Sequence, residues 1–333
     1  ANYYFSHLSY EEGNLETALK GFERIKDDER FAAIVPYYIM QIYFLQERYQ
    51  EVIDYGPALL DSAEIKKEFE VARIIGESFY NLKKYEEAVP YLAKYNAGPA
   101  QKNRDDYYQL GFAHYKSENY NEAIEEFNLV TNEKDKMGQL ASYHMGDCYM
   151  KLDNKKYARN AFKESSQLDF DTAVKEDALF SYAKLAYELS ANPFNEAIRA
   201  FEAYLNDYPT SPRRDEAYSF LLDVYMTTKN YEAALIALDK MENLDPKAQT
   251  AYQLCAYNRG VELYLNRRYA EAKTMFLKVD KYKIAPLLSA KSEYWKAEIA
   301  YQEEDYNAAI SAYNAFQTKP GSFNSGFFKV AYY

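Results

Sequence analysis

One pattern recurs along this chain at intervals too regular for chance, and it constrains the fold before any local structure is considered. The segment Asn119-Tyr120-Asn121-Glu122-Ala123-Ile124-Glu125-Glu126-Phe127 reads as a turn, an aromatic, acidic residues, an Ala, and an aromatic four residues after the Ala. The Ala position returns as Ala18, Val52, Ala88, Ala123, Ala158, Ala197, Ala234, Ala272 and Ala309, in steps of 34, 36, 35, 35, 39, 37, 38 and 37 residues. Four residues later stand Phe22, Gly56, Leu92, Phe127, Phe162, Phe201, Leu238, Phe276 and Tyr313. A period of this length means an array of supersecondary units, each covering its neighbour's apolar face.

Within a unit the periodicity is helical. Tyr107, Leu110, Gly111, His114 and Tyr115 fall at three-and-four spacing on one helix, and Ala123, Ile124, Phe127 and Val130 do so on the next. Gly76, Gly111, Gly146 and Gly260, all twelve residues before an anchor, are read as points where two helices approach closely, with large neighbours filling the space beside them. Pro99, Pro209, Pro246 and Pro320 follow second helices, where a chain can no longer continue helical. Pro57 falls inside a second helix and predicts a kink there, and Ser190 to Phe194 form a turn one residue longer than its counterparts.

These features resemble the tetratricopeptide repeat family, whose roughly 34-residue unit carries a W-x2-L-G-x2-Y…A-x3-F pattern. The best matches are Tyr107-x2-Leu110-Gly111-x2-His114 with Ala123-x3-Phe127, and Ser142-x2-Met145-Gly146-x2-Tyr149 with Ala158-x3-Phe162. The resemblance implies an all-α fold, a right-handed α-solenoid of stacked antiparallel helix pairs. It predicts one solenoid over 1–333 with repeats at about 1–33, 34–68, 69–103, 104–138, 139–175, 176–213, 214–250, 251–288 and 289–322, and the start of a further helix at 323–333. The apolar ends, Asn2-Tyr3-Tyr4-Phe5 and Gly326 to Tyr333, lack the polar face of a terminal repeat and lead to the expectation of a piece of a longer array.

Composition narrows the function. The 333 residues carry 51 acidic against 40 basic side chains, a net charge of −11, and no basic run longer than a pair, which sets nucleic acid aside. The longest apolar stretch, residues 32–45, contains Pro36 and Gln41 and is shorter than the roughly 20 apolar residues of a membrane span. Two cysteines, Cys148 and Cys255, exclude a disulfide framework and lie three repeats apart. No phosphate-loop, dinucleotide, zinc-protease, nucleophile-elbow or calcium-loop motif occurs. In a solenoid, residues several repeats apart cannot converge, and His7, His114 and His144 have no third ligand at metal spacing. No catalytic residue, metal or cofactor is expected, and the chain is read as non-enzymatic.

What remains is the surface that stacking creates. In the resembled family the first helices line a concave groove, through the second, fifth, ninth and twelfth positions of each repeat. Carried over on the Ala anchors, the fifth positions are Tyr3, Tyr37, Arg73, Tyr108, Tyr143, Ser181, Ser219, Tyr257 and Tyr294; Phe112 is a ninth and Tyr115 a twelfth. Tyr37, Arg73, Tyr108, Phe112, Tyr115, Tyr143, Tyr257 and Tyr294 are therefore the candidate partner-binding residues. Tyr joins apolar area to a hydroxyl at low entropic cost, so peptide or helical segments of other proteins are the expected ligands. A glycan stacked on the same rings is the alternative, as is presentation of substrate to an enzyme of which this is one region. The ninth positions lack the Asn of the family's C-terminal carboxylate clamp, and several are acidic, which points to a partner with basic character. Finally, Phe201-x2-Tyr204-Leu205-x2-Tyr208-Pro209-Thr210-Ser211 followed by Asp215-Glu216-Ala217-Tyr218 resembles a junction of tetratricopeptide scaffolds in the bacterial envelope, and the Tyr-rich composition is similar to that of Bacteroidetes repeat proteins. That resemblance implies an exported, periplasmic location.

Overall fold

The computed structural model describes residues 2–61, 67–189 and 195–332, and every regular element among them is helical. Two compact units divide the chain, residues 1–182 and 183–333. In the first, α1 (Asn2–Glu11) pairs with α2 (Leu15–Glu23), α3 (Val35–Leu45) with α4 (Tyr49–Leu60), and α5 (Glu68–Asn81) with α6 (Tyr85–Asn96). It continues with α7 (Arg104–Lys116) on α8 (Tyr120–Asn128) and α9 (Lys136–Lys151) on α10 (Lys155–Ser166). The division between the units falls within α11 (Thr172–Leu189). The second unit holds α12 (Asn195–Asp207), then α13 (Arg214–Thr227) with α14 (Tyr231–Lys240), α15 (Pro246–Leu265) with α16 (Tyr269–Val279), and α17 (Pro286–Gln302) with α18 (Tyr306–Thr318). First helices of successive pairs also touch, α3 with α5, α7 with α9 and α15 with α17.

The repeat register shows in burial. All nine anchors are buried, from Ala18 through Val52 to Ala309. The large residue four positions on is fully covered at Phe22, Phe127, Phe201 and Phe276. Opposite Phe127, Phe162 and Phe276 lies a glycine of the first helix. A Cβ added at Gly146 would meet the Phe162 ring at 2.7 Å, one at Gly260 the Phe276 ring at 2.6 Å, and one at Gly111 the Phe127 ring at 3.1 Å. The glycine is thus the hole into which the same pair's aromatic knob fits.

Among the described residues the tight turns inside the pairs share one geometry. Five residues before the anchor, Glu47, Lys83, Glu118, Asp153, Lys229, Arg267 and Glu304 all hold φ between 53° and 62°, and Gly13 takes the same place at 77°. The next amide closes the turn onto the carbonyl five residues back, as Asn119 to His114 and Asn154 to Tyr149, each of length 2.9 and 2.8 Å respectively. Several helix starts are capped: the Asn103 side chain accepts from the Asp106 amide at 2.9 Å and Asp106 accepts in return from the Asn103 amide at 2.8 Å. Pro57 stands inside α4, and Pro90 stands likewise inside α6. The long turn read at 190–194 lies outside the described residues.

A second device closes the open end of the pair and has no place in the sequence reading. Gln139, fully buried at the start of α9, donates from Nε2 to the carbonyls of Leu168 at 2.7 Å and Asp171 at 3.2 Å, while its Oε1 accepts from the Asp171 amide at 2.7 Å. Gln253 repeats this on Val279, Ile284 and Ala285, at 2.9, 3.2 and 2.8 Å. Arg104, in the same register, reaches the Val130 carbonyl at 2.6 Å, and Asp215 accepts from the Glu242 amide at 3.2 Å. All four stand nineteen residues before an anchor.

Where a further helix was expected at 323–333, the described residues 323–332 run through turns to a single 3₁₀ turn at Val330–Tyr332. Gly326 holds φ at +84°, and Phe327 stacks on Tyr294 with centroids 4.3 Å apart, so the aromatic contact is made from a turn.

Candidate functional site

In the first unit, α5, α7 and α9 bring five of the candidate residues to one face. Tyr108, Phe112 and Tyr115 stand on α7 at helical spacing and Tyr143 on α9; all four rings border His144, with centroids 6.4, 5.2, 5.1 and 5.6 Å from it. The Phe127 ring from α8 stacks on His144 at 5.7 Å and completes the enclosure. Burial there holds the imidazole largely neutral, lowering its pKa to about 4 with help from the Lys116 ammonium. Its Nδ1 has no hydrogen-bond partner. His144 stands fourteen residues before its anchor, and Tyr38, Phe220 and Trp295 hold the equivalent places in other repeats. There Tyr38 stacks on Phe22 at 5.2 Å, Phe220 on Phe201 at 5.1 Å and Trp295 on Phe276 at 6.5 Å. The histidine therefore packs as an inter-repeat knob, as Tyr38, Phe220 and Trp295 do in their own repeats.

The tyrosine hydroxyls are tied down as well. Tyr115 donates to Asp147 at 3.3 Å, and Tyr143 donates to Asp177 at 2.5 Å. Tyr10 in the same way donates to Gln41 at 3.2 Å, and Gln41 donates to the Tyr37 oxygen at 2.7 Å. In the second unit Tyr313 donates to Glu298 at 2.6 Å. Desolvation pushes the Tyr108 and Tyr115 phenols up to about 12, with Asp147 adding to the rise at Tyr115. Desolvation also raises the Asp147 carboxyl, a rise that Asp177 reinforces and the Tyr115 hydrogen bond opposes. The hydroxyls of Tyr10, Tyr115 and Tyr143 thus fasten one repeat to the next.

Arg73 lies on α5 between Glu70 and Glu77, at 3.3 and 2.8 Å. Burial raises the Glu77 carboxyl against the pull of Arg73, and Asp106 and Glu70 add to the rise. Tyr37 and Tyr294 leave the candidate surface: each is under a tenth exposed, because neighbouring segments cover their rings. Tyr37 packs in the core beside a cavity of about 290 Å³, with the Lys67 ammonium 4.5 Å from its ring centre. Tyr294 lies beneath Phe327. In the second unit Tyr257 is half-buried and accepts from the Trp295 indole at 3.1 Å.

No group of three or more His, Cys, Asp or Glu side chains able to hold a metal ion occurs among the described residues. Cys148 and Cys255 are buried thiols, and desolvation pushes both up to about 12, away from nucleophilic thiolate chemistry. Among the described residues no helix is long and apolar enough to cross a membrane.

Two tetratricopeptide repeat family models match, one over residues 182–249 and one over 107–135. No curated protein matches. Similar solved structures include YrrB, described as a tetratricopeptide protein with an unusual peptide-binding site, at 21% identity over 53% of this chain and 89% of that one, with a TM-score of 0.45. A tetratricopeptide protein from Parabacteroides merdae aligns over 100% of this chain and 98% of its own at 13% identity and a TM-score of 0.34. The TPR2AB domain of yeast Sti1, in complex with an HSP90 peptide, aligns over 79% and 95% at 18% identity and a TM-score of 0.41.

Proposed function

The chain is a tetratricopeptide-repeat protein, and from that premise we propose that it is a non-enzymatic scaffold that holds segments of other proteins against its first helices. The observation that carries the reading is the aromatic face of α7 and α9, where Tyr108, Phe112, Tyr115 and Tyr143 are half-buried on rigid helices and present ring surface beside carboxylates. Rigid aromatic side chains of this kind anchor protein segments, because they bury area and lose little entropy. A sugar would need free hydroxyl and carboxylate partners around the rings, and here the hydroxyls of Tyr115 and Tyr143 are already committed to Asp147 and Asp177. That arrangement favours a protein ligand over a glycan.

Affinity capture with the chain as bait tests this, comparing wild type with a Phe112→Ala, Tyr115→Ala variant whose helicity is checked by circular dichroism. A protein retained by wild type and lost by the variant is the expected result. Capture of the same set by both would remove the α7–α9 face from the account.

A further inference from the structure

The acidity of this chain is not shared evenly. Residues 1–182 carry 32 acidic against 22 basic side chains, whereas residues 183–333 carry 19 against 18, so almost all of the net charge belongs to the first unit. Part of that charge lies on the aromatic face. Glu70 and Glu77 on α5, Asp106 on α7, Asp147 on α9 and Asp177 on α11 accompany the tyrosines, and Arg73, Lys116 and Lys151 are cations within reach of them. The carboxylates are close enough to oppose one another's ionisation, Glu70 and Asp106 acting on Glu77 and Asp177 acting on Asp147.

The ring faces beside these carboxylates already receive cations from the chain itself. The Lys116 ammonium lies 5.2 Å from the Phe112 centroid and 5.1 Å from that of Tyr115, and Lys102 lies 4.4 Å from Tyr95. A cation over an aromatic face is held by the ring's electron-rich surface, and a nearby desolvated carboxylate strengthens the attraction. Rings and carboxylates thus lie together on α7 and α9, in a unit with 32 acidic against 22 basic side chains.

We infer that this face of the first unit takes a segment of a partner protein rich in lysine and arginine, its cations taking the place of Lys116 over Phe112 and Tyr115 and reaching Asp147 and Glu70. The inference rests on the scaffold reading above and adds the chemistry of the partner. Charge complementarity of this kind speeds association and discriminates against acidic segments, and it weakens as salt screens it.

The test uses the full chain and two fluorescein-labelled peptides, one alternating Lys and Arg with Ala, the other alternating Glu and Asp with Ala, followed by anisotropy. The basic peptide is expected to bind and the acidic one not to, with affinity falling at least tenfold in the Glu70→Gln, Asp147→Asn variant. A second variant, Glu122→Gln, Glu125→Gln, removes the same charge from exposed positions on α8 and is expected to change affinity less than twofold. Equal losses in both variants would mean that net charge alone attracts the peptide and would overturn the assignment of the face, as would binding of the acidic peptide or of neither. If no basic peptide binds while captured proteins still depend on Phe112 and Tyr115, the scaffold reading stands and this inference falls.

Discussion

Replacing Gln139 by Met keeps the length of the side chain and removes its polar atoms, and the structure sets the cost. Two backbone groups lose their partner, the Leu168 carbonyl and the Asp171 amide, each bonded at 2.7 Å, whereas the Asp171 carbonyl keeps the Lys175 amide at 2.9 Å. An orphaned buried group costs about 1–3 kcal/mol, and Leu168 and Asp171 are only half-buried, so about 1 kcal/mol each is appropriate. Against the resulting total of about 2 kcal/mol stands about 1 kcal/mol from the added apolar surface, leaving a net loss of about 1 kcal/mol. Repeat arrays lose stability locally, so the loss belongs to the α10–α11 junction. Hydrogen exchange followed by mass spectrometry reads this directly: amides across residues 165–175 are expected to open about 5-fold more often in Gln139→Met. Gln167→Met, at an exposed neighbouring position, is the control and is expected to change nothing. If Gln139→Met leaves exchange at the junction unaltered, the closure of pairs by a buried polar side chain is refuted.

Other perturbations test separate parts of the fold. Gly13 holds φ at +77° with open space around its Cα, so Gly13→Ala isolates the conformational term and is expected to destabilise the first pair by about 1 kcal/mol in urea unfolding. At Gly146 a Cβ meets the Phe162 ring at 2.7 Å, so Gly146→Ala costs about 1 kcal/mol net of its gain in helix propensity, and the added Phe162→Leu change is expected to recover that loss in a double-mutant cycle. His144 has its pKa lowered to about 4 by burial, so its contribution to stability is fully present above the ordinary histidine value near 6.5 and is lost as pH falls from there towards 4. The raised carboxyls of Glu77 and Asp147 act in the opposite sense, so the difference between wild type and His144→Phe in thermal melts across that window isolates the histidine, with a loss on the order of 3 kcal/mol.

The repeat was legible because three of its positions are chemically narrow. Only a small residue fits at Ala123 or Ala158, a glycine faces Phe127, Phe162 or Phe276, and a large apolar residue fills the place four after the anchor. The closing residues were not legible, because their register is chemically mixed: Phe69, Arg104, Gln139, Ala178, Asp215, Gln253 and Ala290 all occupy it. Two glutamines in a core register were the available signal. The turn residue before the second helix was equally hidden, since Glu47, Lys83 and Arg267 are not types that favour a left-handed backbone. In the candidate site, the fifth-position tyrosines share one register and differ in exposure. Tyr108 and Tyr143 stay half-buried, while Tyr37 and Tyr294 are covered by segments whose packing no spacing rule gives. Bonds from Tyr115 to Asp147 and from Tyr143 to Asp177 join residues 32 and 34 apart, one repeat length, and become visible only when pairs are stacked.

The central claim is that partners lie on the first-helix face of α7 and α9. Site-specific photocrosslinking reads it most directly, with benzoylphenylalanine in place of Phe112 or Tyr115 on that face, and of Glu122 or Glu125 on the exposed side of α8. The account predicts protein adducts from positions 112 and 115 and none from 122 and 125. Adducts confined to α8 would contradict it.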